Sequence, residues 1–309
     1  MIYVSDIDPL KALSSADEPG TLAIITSIEG PSYRPLGAMM AILADDSNVG
    51  TLSSGCIESD LLHHAEQAKS KGEPITVRYG NGSPFIDIQL PCGGTLEITL
   101  IYAPDQAILR QVITKTRNRS ATTLQINCDT GSLSFSDKTK TERNGEFFHA
   151  RIIPELRFLV FGKGPEALTF TSLVRTASFD SLLLSPDRQM IEYANNIGCG
   201  TFYLTKPEFP KSVEIDEWTA ILLFFHDHDW EPPILKNILS SPAFYIGAQG
   251  SKRARQTLLN ELTLQGSSSK ELANLQGPIG LIPSTRDSRT LAISVLAEVL
   301  LKASVFKPS

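Results

Sequence analysis

The chain has 309 residues, a two-domain length at roughly 150 residues per domain. With 41% apolar and 20% charged residues it can bury a sizeable core and is not a disordered tail. Its 28 Lys and Arg against 34 Asp and Glu leave a net charge of −6, and without basic clusters this excludes a general nucleic-acid or membrane-surface binder.

The stretch up to Ala16 carries Asp6 and Asp8 and lacks the basic-then-apolar order of a signal peptide. Thr21–Ile28 and Ala38–Leu43 read as strands, separated by a segment from Glu29 to Gly37 too rich in Gly and Pro for a regular element. A short strand over Val49–Ser53 and a helix over Ile57–Lys71 follow, the helix placing Ile57, Leu61, Leu62, Ala65 and Ala68 on one face. On this spacing His63 and His64 fall on its polar side. Strands are expected at Ile75–Tyr79, Ile86–Leu90 and Leu96–Tyr102, a helix at Pro104–Arg117, and three more strands at Thr122–Asn127, Ser132–Ser136 and Glu146–Ile153. This first half is an α+β domain.

From Arg157 the pattern alternates. Strands are predicted at Arg157–Phe161, Ser181–Leu184, Thr219–Phe225 and Phe244–Ile246. Helices are predicted at Pro165–Arg175, Arg188–Asn196, Ile234–Leu239, Lys252–Leu264 and Arg289–Lys302. Short apolar strands between helices signal a parallel sheet covered on both faces. The change of pattern at Pro154 and Glu155 divides the chain into domains of residues 1–153 and 154–309. The longest apolar stretches, Ala220–Phe225 and Leu291–Leu301, fall short of the roughly 20 residues of a membrane span. Cys56, Cys92, Cys128 and Cys199 form no CxxC pair and no zinc-like spacing, so reduced thiols and a cytoplasmic location are expected.

Several segments carry chemistry. Gly162-Lys163-Gly164-Pro165-Glu166-Ala167 is a G-x-G-x-x-A turn between strand and helix, where Gly162 and Gly164 let the backbone pass under a phosphate and the helix start supplies N–H groups. The acid that would bind a ribose at the end of the next strand is replaced by Ser185, with Asp187 as a displaced substitute, which makes NAD(P) doubtful. Phe225-His226-Asp227-His228-Asp229 closes a strand at the sheet end where ligands bind, so His226 and His228 are candidates for ligand contact or acid–base work. Gly247 and Gly250, in Ile246-Gly247-Ala248-Gln249-Gly250-Ser251, lead into a basic helix start suited to phosphate, or form a simple turn. Arg34, in a Pro-bounded loop, suits an anionic group. Gly55-Cys56 stands at a helix start, a setting that favours thiolates, and Cys92-Gly93-Gly94 lies in a permissive loop. Soft thiolates suit molybdenum, copper(I), zinc or sulfur transfer, whereas a free cysteine is commonly a small buried hydrophobe.

Taken in order, these motifs resemble the XdhC/CoxI family of molybdenum-hydroxylase maturation factors. Glu29-Gly30-Pro31-Ser32-Tyr33-Arg34-Pro35-Leu36-Gly37-Ala38, Ser53-Ser54-Gly55-Cys56-Ile57-Glu58 and Cys92-Gly93-Gly94-Thr95-Leu96-Glu97 are similar to its first-domain motifs. Phe161-Gly162-Lys163-Gly164, His226-Asp227-His228, Tyr245 to Arg253 and Gly277-Pro278-Ile279-Gly280-Leu281 resemble those of its second domain. The resemblance implies an N-terminal XdhC/CoxI-type α+β domain followed by a Rossmann-like domain with a parallel sheet, and a homodimer. It implies a chaperone that binds the molybdenum cofactor, a molybdopterin, with Cys56 and Cys92 at the metal. The implied client is a molybdenum hydroxylase such as xanthine dehydrogenase, with a cysteine desulfurase as a further candidate partner. The chain departs from the family at Ser185, at Lys163 between the glycines, and at Ile282 in place of an Asp. Two other readings stand beside this one: an NAD(P)-dependent Rossmann oxidoreductase using His226 or His228, and a protein that docks on a dehydrogenase without cofactor.

Overall fold

The computed structural model describes residues 5–83, 90, 93–226 and 229–306. The chain divides into two compact units, Met1–Pro154 and Glu155–Ser309. The predicted strand at Ile86–Leu90 and the residues Cys92 and His228 lie outside the described residues, except for Leu90, which is buried.

The first unit runs α1 (Asp8–Ser15), β1 (Thr21–Glu29), β2 (Met39–Ile42), β3 (Asn48–Val49), α2 (Glu58–Lys71), β4 (Ile75–Tyr79), β5 (Thr95–Tyr102), α3 (Gln106–Arg117), β6 (Thr122–Asn127), β7 (Leu133–Ser136), β8 (Glu142–Asn144) and β9 (Phe147–Ile152). Among the described residues these strands form two antiparallel sheets, ordered β3-β2-β1-β5-β4 and β7-β6-β9-β8. Alternation along β1 explains how both faces of the larger sheet are buried. Leu22 and Ile24 join a core with Leu10 and Leu13 of α1, Leu109 and Val112 of α3, and Leu124 and Phe148 of the smaller sheet. Ala23 and Ile25 face the opposite way, onto Ile57 and on to Leu61 and Ala65 of α2. Each such aliphatic side chain contributes about 1.5–3 kcal/mol on burial.

The second unit runs β10 (Arg157–Gly162), α4 (Pro165–Thr176), β11 (Asp180–Ser185), α5 (Arg188–Asn196), β12 (Gly200–Tyr203), β13 (Thr219–Phe224), α6 (Glu231–Ile238), β14 (Tyr245–Ala248), α7 (Lys252–Leu264), α8 (Ser269–Leu272), β15 (Leu275–Gln276) and α9 (Ser288–Val305). Its strands form a parallel sheet in the order β12-β11-β10-β13-β14-β15. Phe158 and Val160 of β10 pack toward α4, α5 and α9 through Phe170, Val174, Met190 and Val295. Leu159 and Phe161 pack toward α6 and α7 through Ile234, Leu235, Leu258 and Leu262. From the central β10 the chain builds outward to β11 and β12, then crosses to β13 on the other side. The topological switch point therefore lies between β10 and β13, where open α/β sheets bind ligands. Among the described residues, no helix is long and apolar enough to cross a membrane.

Two expectations change here. The strand foreseen at Val49–Ser53 stops at Val49, because the backbone from Leu52 onward turns its N–H groups onto Glu58 instead of onto a neighbouring strand. His64 is 7% exposed and not on a polar face: its Nε2 lies 3.3 Å from Asp60 Oδ2, and Tyr79 donates to the same oxygen at 2.6 Å. Burial, then that carboxylate, pushes the Tyr79 phenol well above its ordinary range.

Candidate functional site

The first candidate site is the loop that enters α2. Ser54 and Gly55 both adopt positive φ, 65° and 106°, and throw the chain around a single carboxylate. Glu58 Oε1 accepts from Thr51 Oγ1 at 2.5 Å, Leu52 N at 3.0 Å and Ser53 N at 2.9 Å. Its Oε2 accepts from Ser53 Oγ at 2.6 Å, Gly55 N at 2.8 Å and Ile57 N at 3.2 Å. Burial alone raises a carboxyl pKa, but the hydroxyls of Ser53 and Thr51 with the Ser53 and Leu52 N–H groups outweigh it and hold Glu58 at about 2.

This bracket leaves Cys56 exposed and half-immobilised: its own N–H donates to Ser53 Oγ at 3.0 Å. The helix-start donors expected to face the thiolate are instead committed to Glu58 and Ser53, so the loop presents the sulfur without wrapping it. A Cβ added at Gly55 would meet nothing within 4 Å, which leaves room for a ligand beside Cys56. By contrast, Cys128 and Cys199 are buried, and burial pushes both thiols up.

Turns from three parts of the first unit pack against one another. Gly94 is buried so tightly that a Cβ would lie 1.8 Å from Pro31 O, and Gly94 O would lie 2.3 Å from a Cβ on Gly80. Gly93 is exposed at φ 71° with nothing in the way. The structure thus packs the loop that carries Arg34 against the turn that follows Cys92. Arg34 itself is not an open anion clamp, because its Nη2 is 2.6 Å from Asp6 Oδ1.

In the second unit, Gly162 ends β10 where a Cβ would stand 2.6 Å from Phe224 O and 2.8 Å from Ala167 Cβ, so this glycine serves strand–helix packing. Gly164 caps α4 at φ 87°, yet its N–H donates to Met190 Sδ at 3.0 Å. The phosphate-binding geometry expected of Gly162 and Gly164 is therefore altered: the donor that would meet a pyrophosphate already has a sulfur partner. Ser185 is fully buried, and its hydroxyl accepts from Asp187 N at 3.1 Å. Asp187 caps α5, accepting from Gln189 N and Met190 N, so it does not replace the missing ribose acid.

His226 is exposed at the end of β13, with Nε2 3.3 Å from Glu166 Oε2. Gly247 is buried inside β14, where Tyr245 and Ile279 leave no space for a Cβ. Gly250 lines a shallow surface depression with Gln249, Arg255 and Gly277. Ser251 caps α7 by accepting from Ala254 N at 3.1 Å. Sequence reasoning passed over Glu58, Glu166, Met190 and Trp230. The available signal was an acid in the first turn of α2 and of α4, a placement that helix polarity alone also favours.

Comparison with known proteins gives a consistent picture. Residues 13–80 match the XdhC and CoxI family, and residues 158–299 match the XdhC Rossmann domain. The chain is 32% identical over 281 residues, 90% of its length and 81% of the relative's, to the molybdenum cofactor insertion chaperone PaoD of Escherichia coli strain K12. It is 22% identical over 335 residues to a probable xanthine dehydrogenase subunit of Bacillus subtilis strain 168, covering 94% of this chain and 95% of the relative. A crystal structure described as a xanthine dehydrogenase from Bacillus halodurans shares the fold, with a TM-score of 0.81 and 23% identity over 97% of this chain and 96% of that one. With both domain models matched in order and a full-length relative at this identity, the chain belongs to the XdhC and CoxI family.

Proposed function

We propose that this protein binds the molybdenum cofactor, a molybdopterin, and inserts it into a molybdenum hydroxylase such as xanthine dehydrogenase, acting as a cofactor chaperone and not as a metabolic catalyst. The observation that carries this reading is the presentation of Cys56. Among the described cysteines it alone is exposed, on a loop fixed by six hydrogen bonds to Glu58, with open space over Gly55. A soft sulfur held this way suits a molybdenum–sulfur centre that must be gripped and later released. The name of the Escherichia coli relative supports the cargo, and that of the Bacillus subtilis relative supports the client.

Cys92 lies outside the described residues, and its role as a second sulfur contact rests on the motif it shares with the family. Gly93 and Gly94 give that loop its shape, with Gly93 facing solvent. A homodimer, a cytoplasmic location and contact with a cysteine desulfurase belong to the same proposal. The NAD(P) oxidoreductase reading has less support, because the Gly164 N–H is engaged by Met190 and the ribose acid is absent at Ser185.

The test is cofactor retention. The protein is purified without oxygen from cells that make molybdopterin, beside the Cys56→Ala/Cys92→Ala variant, and molybdenum and pterin are counted per chain. Near-stoichiometric cofactor that is lost in the folded double variant is the expected result. Equal retention in both proteins removes the thiols from the site, and no cofactor in either removes the chaperone reading.

A further inference from the structure

The switch-point crevice of the second unit is bridged twice by side chains that come from its two walls. Glu166, in the first turn of α4, reaches His226 after β13, Oε2 to Nε2 at 3.3 Å. Lys163, on the turn between β10 and α4, lies over the Trp230 ring after β13, with Nζ 5.2 Å from its centroid. Trp230 is half-buried and stacks on Phe225 at 5.7 Å with an interplanar angle of 18°, so its plane is fixed. Glu166 Oε2 is buried, with the His226 ring beside it, and accepts no hydrogen bond among the described residues.

These features invert the chemistry of a dinucleotide site. Such a site offers N–H donors to an anion at the helix start. Here the Gly164 N–H is spent on Met190 Sδ, and a carboxylate stands in the first turn of α4, where it repels a phosphate. What the two walls carry is a carboxylate after β10 and, after β13, an indole stacked on Phe225. That combination suits a flat heterocycle whose edge carries adjacent N–H donors, since a carboxylate takes two parallel N–H bonds and a ring stacks on indole.

We propose that the β10/β13 crevice binds the pterin end of the cofactor, with Glu166 accepting from the exocyclic amino group and the adjacent ring N–H, and Trp230 supplying the stacking surface. The choice of a pterin among such heterocycles rests on the chaperone reading above. The incoming edge takes the place of His226 beside the carboxylate, and Lys163 moves off the indole. Glu166 and Trp230 thereby become specificity-determining residues of a second binding region, separate from the thiol loop in sequence and carried by the other unit.

The full-length protein tests this by equilibrium dialysis against a hydroxymethylpterin, read by pterin fluorescence, with NADH and ADP-ribose as competitors. The wild type binds the pterin and neither competitor displaces it. Glu166→Gln weakens binding roughly 10- to 100-fold, as loss of a charged acceptor requires. Trp230→Leu weakens it independently and serves if the first variant fails to fold, with melting curves as the folding control. Pterin binding that is absent, or unchanged in folded forms of both variants, overturns the proposal, as does displacement by NADH. If molybdenum co-purifies with the chain while Glu166→Gln leaves pterin binding intact, the crevice assignment falls and the chaperone reading stands. If no molybdenum co-purifies and pterin binding still depends on Glu166, the crevice assignment stands without that reading.

Discussion

Ser53 and Glu58 hold each other through two hydrogen bonds, Ser53 N to Oε1 at 2.9 Å and Ser53 Oγ to Oε2 at 2.6 Å. The same Ser53 Oγ accepts from the N–H groups of Cys56 and Ile57, both at 3.0 Å. The carboxylate is thus the fixed point from which the exposed sulfur is hung. Glu58→Ala leaves several donors of this loop without their acceptor and costs about 2 kcal/mol, read from denaturant unfolding at neutral pH.

The Glu58 charge makes this stabilisation pH-dependent in a definite sense. Its folded pKa of about 2 lies below the ordinary 4.5, so the stabilisation is complete above about pH 4.5 and is lost as pH falls toward 2. The group is half-exposed, and solvent screening keeps the contribution to about 1–2 kcal/mol. The stability gap between the wild type and Glu58→Gln therefore narrows steadily from about pH 5 to about pH 2. A gap that stays constant over that range refutes the assignment.

Thiol accessibility separates the cysteines sharply. Iodoacetamide applied to the folded protein modifies Cys56, while Cys128 and Cys199 stay unmodified until the units unfold. Peptide mass spectrometry over a time course should give rates at least about 100-fold apart. Comparable labelling of Cys199 and Cys56 without denaturant contradicts the burial described.

The paired glycines after Cys92 do different jobs, and substitution distinguishes them. Gly94→Ala drives a methyl to 1.8 Å from Pro31 O, a clash that only backbone displacement relieves, so the variant is expected to lose several kcal/mol or fail to accumulate. Gly93→Ala meets no atom and bears only the strain of φ 71°, about 1–2 kcal/mol. Melting temperatures of the two variants check this ordering, and equal losses would contradict it.

Much of the architecture was legible in the sequence for identifiable reasons. α5 and α7 begin and end where the sequence pattern puts them, and the structure adds the reason for their starts: Asp187 and Ser251 are N-caps whose side chains bond first-turn N–H groups. The parallel sheet was legible because β10 and β13 are apolar on both faces. β12, by contrast, is an edge strand with half-exposed residues, and β8 is Glu142-Arg143-Asn144, so neither carries an apolar pattern. α1 escaped notice in a short stretch whose mean hydropathy is balanced by Asp8, Lys11 and serines. In the site, the motif cysteines and glycines were visible but their partners were not. Glu58, Glu166 and Met190 act through contacts that the fold makes, and a glutamate in a first helical turn has an ordinary explanation until its acceptor geometry is seen.

The segment from Gly277 to Leu281 is anchored to α9 by a contact that can be dissected. Tyr245 Oη donates to Glu298 Oε1 at 2.8 Å, and Gly280 N donates to Glu298 Oε2. Tyr245 is 2% exposed, and burial, then the Glu298 charge, pushes its phenol far above the ordinary range. The Tyr245 ring also occupies the space that excludes a Cβ at Gly247. Tyr245→Phe keeps that packing and loses one hydrogen bond, costing about 1 kcal/mol. Glu298→Ala leaves both the buried phenol and the Gly280 N–H without their acceptor and costs about 2–4 kcal/mol. In the double variant the phenol is gone, so the loss falls below the sum of the singles by about 1 kcal/mol in a double-mutant cycle measured by denaturant unfolding. Strict additivity would mean that Tyr245 and Glu298 do not share this contact in solution, and that α9 holds the segment through Ser294, which accepts from Ile282 N at 2.7 Å, instead.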